Sequence, residues 1–369
     1  MHAPATRAAN PNSSLSKPSK LVEWLESPFA RLNAFDTMRL FAAASVIVSH
    51  SFMVSEGSND REPISWLSSG QSTIGGLAVG VFFVISGMFI SASFERSRSL
   101  ADFCVKRARR IMPALIFVTA ILAFIVGPLN TTLPIIDYFS DKNTWLYFKN
   151  ALFLPNAYHL PGVFQDHKIT AVNGSVWTLK FEVICYAIAA ASLSFGEKKK
   201  IIIVVGWIAS FIIYRLKPID SSVTGIFHYI FTTAMLFRYF GAGMVLYLFR
   251  DKIILNAQLA LACLLLSCVA IFTPFFVEVT ATFGAYSVIV FGYLAPSWVR
   301  NMTAKGDFSY GVYIYGWPVQ QLLAPIGAGL ALHWLVNSVL AVLTALGLGA
   351  LSWFWIEKPA LAAKTKKAT

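Results

Sequence analysis

Two ionisable residues bracket an otherwise apolar stretch, MRLFAAASVIVSH, with Arg39 near its start and His50 at its end. On a helix, eleven residues at about 100° each turn through three revolutions plus roughly 20°, so the two share one face about 16 Å apart. A permanent cation and, one helix face deeper, a titratable imidazole are suited to holding an anion at one end and moving a proton at the other. The same positions also suit two ordinary roles. An arginine at a helix end anchors it at a membrane surface, and a buried histidine can simply bond a neighbouring helix.

Other residues carry comparable chemistry. In NGSVWTLKFEVICY, the residues Thr178, Glu182 and Tyr186 recur at i, i+4 and i+8 and form one polar stripe, with Lys180 facing away from Glu182. Glu182 therefore needs a partner on another helix, and His50 or an arginine is the expected one; a carboxylate on one imidazole nitrogen fixes the tautomer and makes the other a better base. In CVKRARRIMP, Lys106, Arg107, Arg109 and Arg110 form a cluster that could grip phosphates, although such clusters also anchor helices beside anionic lipid. Gly76 and Gly80 are spaced for close helix packing, and Ser86-Gly87 would let a ligand approach the backbone.

The elements that position these residues are set by composition. Of 369 residues, 56% are hydrophobic and 13% charged, about half the charge of a soluble domain. We read an all-α, polytopic membrane bundle of about ten helices, with apolar runs near 38–56, 74–94, 111–129, 176–195, 201–216, 227–249, 253–272, 279–296, 308–326 and 333–356. With both termini on the cytoplasmic side, inside segments hold 21 lysines and arginines and outside loops 5, as the positive-inside rule requires. The domain reading is a cytoplasmic tail over 1–37 containing one short interfacial helix at LVEWLE, a single transmembrane domain over 38–356, and a basic cytoplasmic tail over 357–369. Residues 1–20 are expected to be disordered and lack the apolar core of a secretory signal. Segment 130–175, broken by Lys149, Pro155 and Pro161, is expected to lie at the interface or dip back in.

The net charge of +12 sits in short blocks between apolar runs, so we expect no nucleic-acid partner. Cys104, Cys185, Cys263 and Cys268 show no paired metal spacing, and we expect neither disulfides nor a metal site. Arg238 joins the intramembrane ionisable residues, each a functional candidate because charge in hydrocarbon costs at least about 2.5–3.5 kcal/mol.

In order along the chain, RLFAAASVIVSH, GVFFVISGMFI, VKRARRIMPA, NGSVWTLKFEVICY, SYGVYIYGWPV and IEKPA resemble the acyltransferase-3 family of integral-membrane O-acyltransferases. The resemblance implies acyl transfer, usually acetyl, from acyl-coenzyme A to a sugar hydroxyl of a surface or exported glycan, in a bacterial cytoplasmic (inner) membrane. By motif, His50 corresponds to the essential histidine with Arg39 its companion. Arg107 and Arg109 correspond to the basic pair near coenzyme A, joined by Arg39, and Trp177 and Glu182 to the tryptophan-glutamate pair. Trp177, Tyr186 and Tyr310 are expected to meet substrate. The expected partners are acetyl-coenzyme A as cosubstrate, a glycan or lipid-linked sugar, and membrane lipid. One departure is Gly316 before Trp317-Pro318, where many members have histidine. The alternative function is a transporter that moves a glycolipid or metabolite past the intramembrane charges.

Overall fold

The computed structural model describes residues 20–27, 33–153, 157–216 and 224–362. The expected disordered N-terminal tail and most of the basic C-terminal tail lie outside the described residues. Among those described there are helices and no strand.

Six helical segments are long and apolar enough to cross a membrane. In chain order with the shorter helices, α1 is Leu21–Glu26, α2 Phe35–Glu56, α3 Pro63–Leu67, α4 Ile74–Glu95 and α5 Leu100–Asn130. They are followed by α6 Trp177–Leu193, α7 Lys199–Arg215, α8 Gly225–Leu248, α9 Ala257–Phe272, α10 Phe276–Leu294, α11 Ser309–Leu323 and α12 His333–Ala362. The six long ones are α2, α4, α5, α8, α10 and α12. Each of the ten apolar runs thus forms a helix. Those of α6, α7, α9 and α11 have 15 to 17 residues and reach only about 22–26 Å, short of a hydrocarbon core of about 30 Å.

Local sequence explains the helix ends. Thr73 and Ser99 accept from the backbone N–H of Gly76 and Asp102 and so cap α4 and α5. Gly57, at φ +84°, closes α2 in the left-handed conformation. Outward-facing Phe41, Ile116, Phe124, Leu261 and Leu343 are exposed along the bundle, as a lipid-facing surface requires.

Gly80 packs closely on α8, where an added Cβ would meet the Tyr239 ring at 2.8 Å, and the two helices come closer still further along: a Cβ at Gly87 would strike the Phe240 carbonyl, and one at Gly243 the Val84 carbonyl, so α4 and α8 cross backbone to backbone there. Gly87 therefore serves helix packing and does not leave backbone open to a ligand. Helix α1 is built into the bundle, with Leu21 and Trp24 buried and the Leu21 and Val22 amides donating to the carbonyls of Ile253 and Arg250. At the other end, α12 runs through a π-helical turn to Ala362 and buries Glu357, so the first part of the expected tail is helix.

A buried polar network fixes α2 against α11 and α12. Gln320 donates to the Ile47 carbonyl at 2.8 Å and to Ser51 Oγ at 2.7 Å, and Asn337 donates to the Gln320 carbonyl at 3.0 Å. The segment after residue 157 is tied to α11 in the same way, by Gln321 to the carbonyls of Ile169 and Ala171 and by Asn173 to that of Ile314. Such bonds, made where no water competes, set the rotation of α2 and the starting point of α6.

Candidate active site

Between α2, α4, α5, α6 and α11 lies a cavity of about 290 Å³, lined among others by Arg39, Ser86, Lys106, Arg107, Arg110, Thr178, Glu182, Tyr186, Tyr310 and Tyr313. The polar stripe of α6 thus faces one space. Thr178 Oγ1 lies 2.7 Å from the Tyr313 hydroxyl. Glu182 accepts from Ser86 Oγ at 3.2 Å and from the Tyr186 hydroxyl.

A second cavity of about 170 Å³ holds His50, with Ser49, Asn59, Gln71, Thr73, Trp177, Arg238 and Tyr239 among its lining. Val79 and Tyr313 line both cavities, so the two spaces abut across these side chains. His50 is held by an edge contact with Trp317, ring centroids 4.8 Å apart, and Trp317 is fixed by its own bond to the Ala171 carbonyl at 2.8 Å. Buried Nδ1 of His50 has no hydrogen-bond partner.

That geometry corrects the expected His50–Glu182 contact. Glu182 faces the first cavity, where its carboxylate is occupied by Ser86 and Tyr186, and His50 faces the second. Among the described residues no carboxylate bonds the imidazole. The expected substrate contacts divide likewise: Tyr186 and Tyr310 line the first cavity and Trp177 the second.

The basic cluster is also rearranged. Arg107 and Arg110 line the cavity; Arg109 is not among its lining residues. Helix geometry is the reason, because positions 107 and 109 point about 200° apart, whereas 107 and 110 differ by about 60°. Arg110 is moreover committed to the carboxylates of Asp307 and Glu357, and Arg39 to Asp36 at 3.1 Å and Asp307 at 3.8 Å, with Phe89 under its guanidinium. Arg39 and Arg110 are thus neutralised by three carboxylates. Lys106 is paired with Asp102 at 2.7 Å. Among the described residues the buried Nε of Arg107 has no partner, and its guanidinium reaches Ser93 Oγ at 3.5 Å.

Asp307 escaped the sequence reading, since it lies in a polar turn between apolar runs. It ties α2 to α5 through Arg39 and Arg110 and also accepts from Ser309. Burial pulls its carboxyl up, but Arg110, Arg39 and Ser309 outweigh burial and hold it below its ordinary value. Glu357, from IEKPA, accepts from Ser352 at 3.0 Å; the motif's acid is therefore a partner of the basic cluster.

Three further ionisable residues, Lys180, His159 and His167, lie outside both cavities. Lys180 is buried between the rings of Phe181 and Tyr229, 5.1 Å from each centroid. His167 bonds Gln321 at 3.1 Å and His159 bonds Thr170 at 3.2 Å. A Cβ at Gly316 would meet the Ile47 side chain at 2.6 Å, so this position is filled by packing of α11 against α2.

The fold and this arrangement are those of a helical, multi-pass membrane protein with paired inner cavities. The family model described as an acyltransferase domain matches residues 32–356, and the chain belongs to the acyltransferase-3 family. It is 31% identical over 341 residues to an O-acetyl transferase of Shigella phage Sf6, covering 91% of this chain and 98% of the relative. It is 28% identical to nodulation protein 10 of Rhizobium leguminosarum bv. viciae, covering 90% and 94% of the two chains. The exopolysaccharide production protein ExoZ of Rhizobium meliloti is 28% identical, with 78% and 90% covered. No solved structure matches the chain. The family resemblance read from the six motifs is therefore confirmed.

Proposed function

We propose that the protein transfers an acyl group, acetyl foremost, from acyl-coenzyme A to a sugar hydroxyl of a surface or exported glycan. The observation that carries this reading is the pair of abutting cavities, one with an unsatisfied arginine and the other with an unsatisfied imidazole. The names of relatives, an O-acetyl transferase and an exopolysaccharide production protein, support acetyl as the group and a polysaccharide as acceptor.

In this reading all ten helices span or nearly span the bilayer, both termini are cytoplasmic, and the Arg107 cavity opens to the cytosol. The donor's phosphates rest on Arg107 and Lys106, and Arg39 and Arg110 shape the entrance through Asp307. Glu182 offers its carboxylate to amide N–H groups of the donor's arm. The thioester passes between Val79 and Tyr313, whose side chains move aside to let its carbonyl meet the acceptor in the His50 cavity. His50 removes the proton from the acceptor hydroxyl as its oxygen bonds to the thioester carbon; the carbon–sulfur bond then breaks and coenzyme A leaves as the thiolate. Trp177 gives the sugar ring an aromatic face.

Reconstitution in vesicles tests it. Acetyl-coenzyme A on the Lys/Arg-rich side and glycan on the other should give an acetyl mass increment on the glycan. Glycan flux in the absence of donor, with no increment in its presence, would instead support the transporter.

A further inference from the structure

We propose that the His50 cavity recognises an acceptor sugar bearing a negative charge, a carboxylate or phosphate, through Arg238. This rests on the acyl-transfer reading above and specifies its acceptor.

Arg238 lies in the middle of α8, with its side chain 1% exposed and facing the cavity that holds His50. Its guanidinium sits over the Tyr214 ring at 3.9 Å and its Nε donates to the Met235 carbonyl, yet one terminal nitrogen, buried Nη1, has no hydrogen-bond partner. A buried donor left unmade is costly, and because Arg238 lines the cavity, an anionic ligand held there would supply the acceptor that its guanidinium lacks among the described residues.

The nearby acid does not fill that role. Glu278 Oε1 is 3.7 Å from Arg238, beyond hydrogen-bond distance, and is engaged by Arg215 Nε at 2.7 Å. At Glu278 two arginines thus share one carboxylate. The lining of the His50 cavity contains no aspartate or glutamate. Glu62, behind it, is saturated by the amides of Ile74 and Ser65 and by Ser49. The remaining lining is uncharged and mixed, with the hydroxyls and amides of Ser49, Asn59, Gln71 and Thr73 beside the Trp177 ring and apolar Val79, Met235 and Leu236, a combination that suits the two faces of a sugar. An arginine fork matches a carboxylate or phosphate bidentately.

In this proposal the acceptor enters from an adjoining groove. A groove of about 560 Å³ lined by Arg215 and Glu278 shares Gln71, Tyr214 and Val277 with the His50 cavity. Arg215 is partly exposed there, so the charged part of a glycan meets Arg215 first and Arg238 further in.

The test is binding, which requires no turnover. Full-length protein in nanodiscs is titrated with methyl β-D-glucuronide, glucose 1-phosphate and the neutral methyl β-D-glucoside, read by saturation-transfer NMR. At least one acid should bind about tenfold tighter than the neutral sugar, a gap of about 1.4 kcal/mol, and which acid does so separates carboxylate from phosphate. Arg238→Gln should abolish the gap and Arg238→Lys restore part of it. Coenzyme A binding in each variant reports that the fold is intact. Glu278→Gln, which removes the competing carboxylate, should widen the gap and serves as the second probe if Arg238→Gln does not fold. Equal binding of acid and neutral sugars by the wild type, or an unchanged gap in either variant, overturns the proposal. Acid preference without any acyl transfer leaves this inference standing and removes the transfer reading; transfer without acid preference does the reverse.

Discussion

Replacing Arg107 and Arg109 one at a time by glutamine separates two residues that the linear motif treats as a pair. Arg107 lines the first cavity, and its buried Nε has no partner among the described residues, whereas Arg109 lies about 200° around α5 from it. A hydrogen bond to a charged group contributes about 1.5–3 kcal/mol. Loss of such a bond to a donor phosphate therefore weakens binding by about 13- to 160-fold. Arg110→Gln is a poor substitute for this experiment, because it strands Asp307 and Glu357. The assay is equilibrium dialysis of labelled coenzyme A against protein in nanodiscs at low salt. Arg107→Gln should fall in that range, and Arg109→Gln should stay within about threefold of wild type, the scale of a surface substitution. Equal losses at the two positions, or a larger loss at Arg109, would refute the cavity assignment.

Three further outcomes follow from the packing. Asp307→Asn, which leaves Arg39 and Arg110 without their shared carboxylate, should lower unfolding stability by about 3 kcal/mol in detergent melts. Since the folded Asp307 carboxyl is held below its ordinary value, the deficit should be full above about pH 4 and shrink as pH falls through the folded value; a pH-independent deficit would contradict this. Gly316→His should not install a catalytic group. Its side chain meets Ile47, and the overpacking should cost about 1–3 kcal/mol, seen as a lower melting temperature.

Several parts of this architecture were legible in the residues. Each of the ten apolar runs became a helix, because membrane insertion demands long apolar segments and leaves a coarse signal. The α6 stripe was legible too, since Thr178, Glu182 and Tyr186 recur at helical spacing and do face one cavity. Partnerships between helices were not. Periodicity gives the direction a side chain takes around its helix axis and says nothing about which neighbour lies there, so the stripe calls for a partner to Glu182, His50 or an arginine, and the fold supplies Ser86 of α4 and Tyr186. The Arg107–Arg109 pairing came from motif resemblance, and counting helix angle would have favoured Arg110. Asp307 lay in a short turn, and only the fold reveals that Arg39 and Arg110 converge on it. Arg238 carried a signal of expense in the membrane but none of its companions.

The account stands most directly on the imidazole of His50. Acetyl transfer to glycan is measured with purified His50→Ala in vesicles, alongside coenzyme A binding by the same preparation. General-base removal should lower the transfer rate by at least about a hundredfold and leave coenzyme A affinity within about twofold, since the donor cavity does not include this residue. Transfer at the wild-type rate, with donor binding intact, would contradict the assignment of His50 as the base.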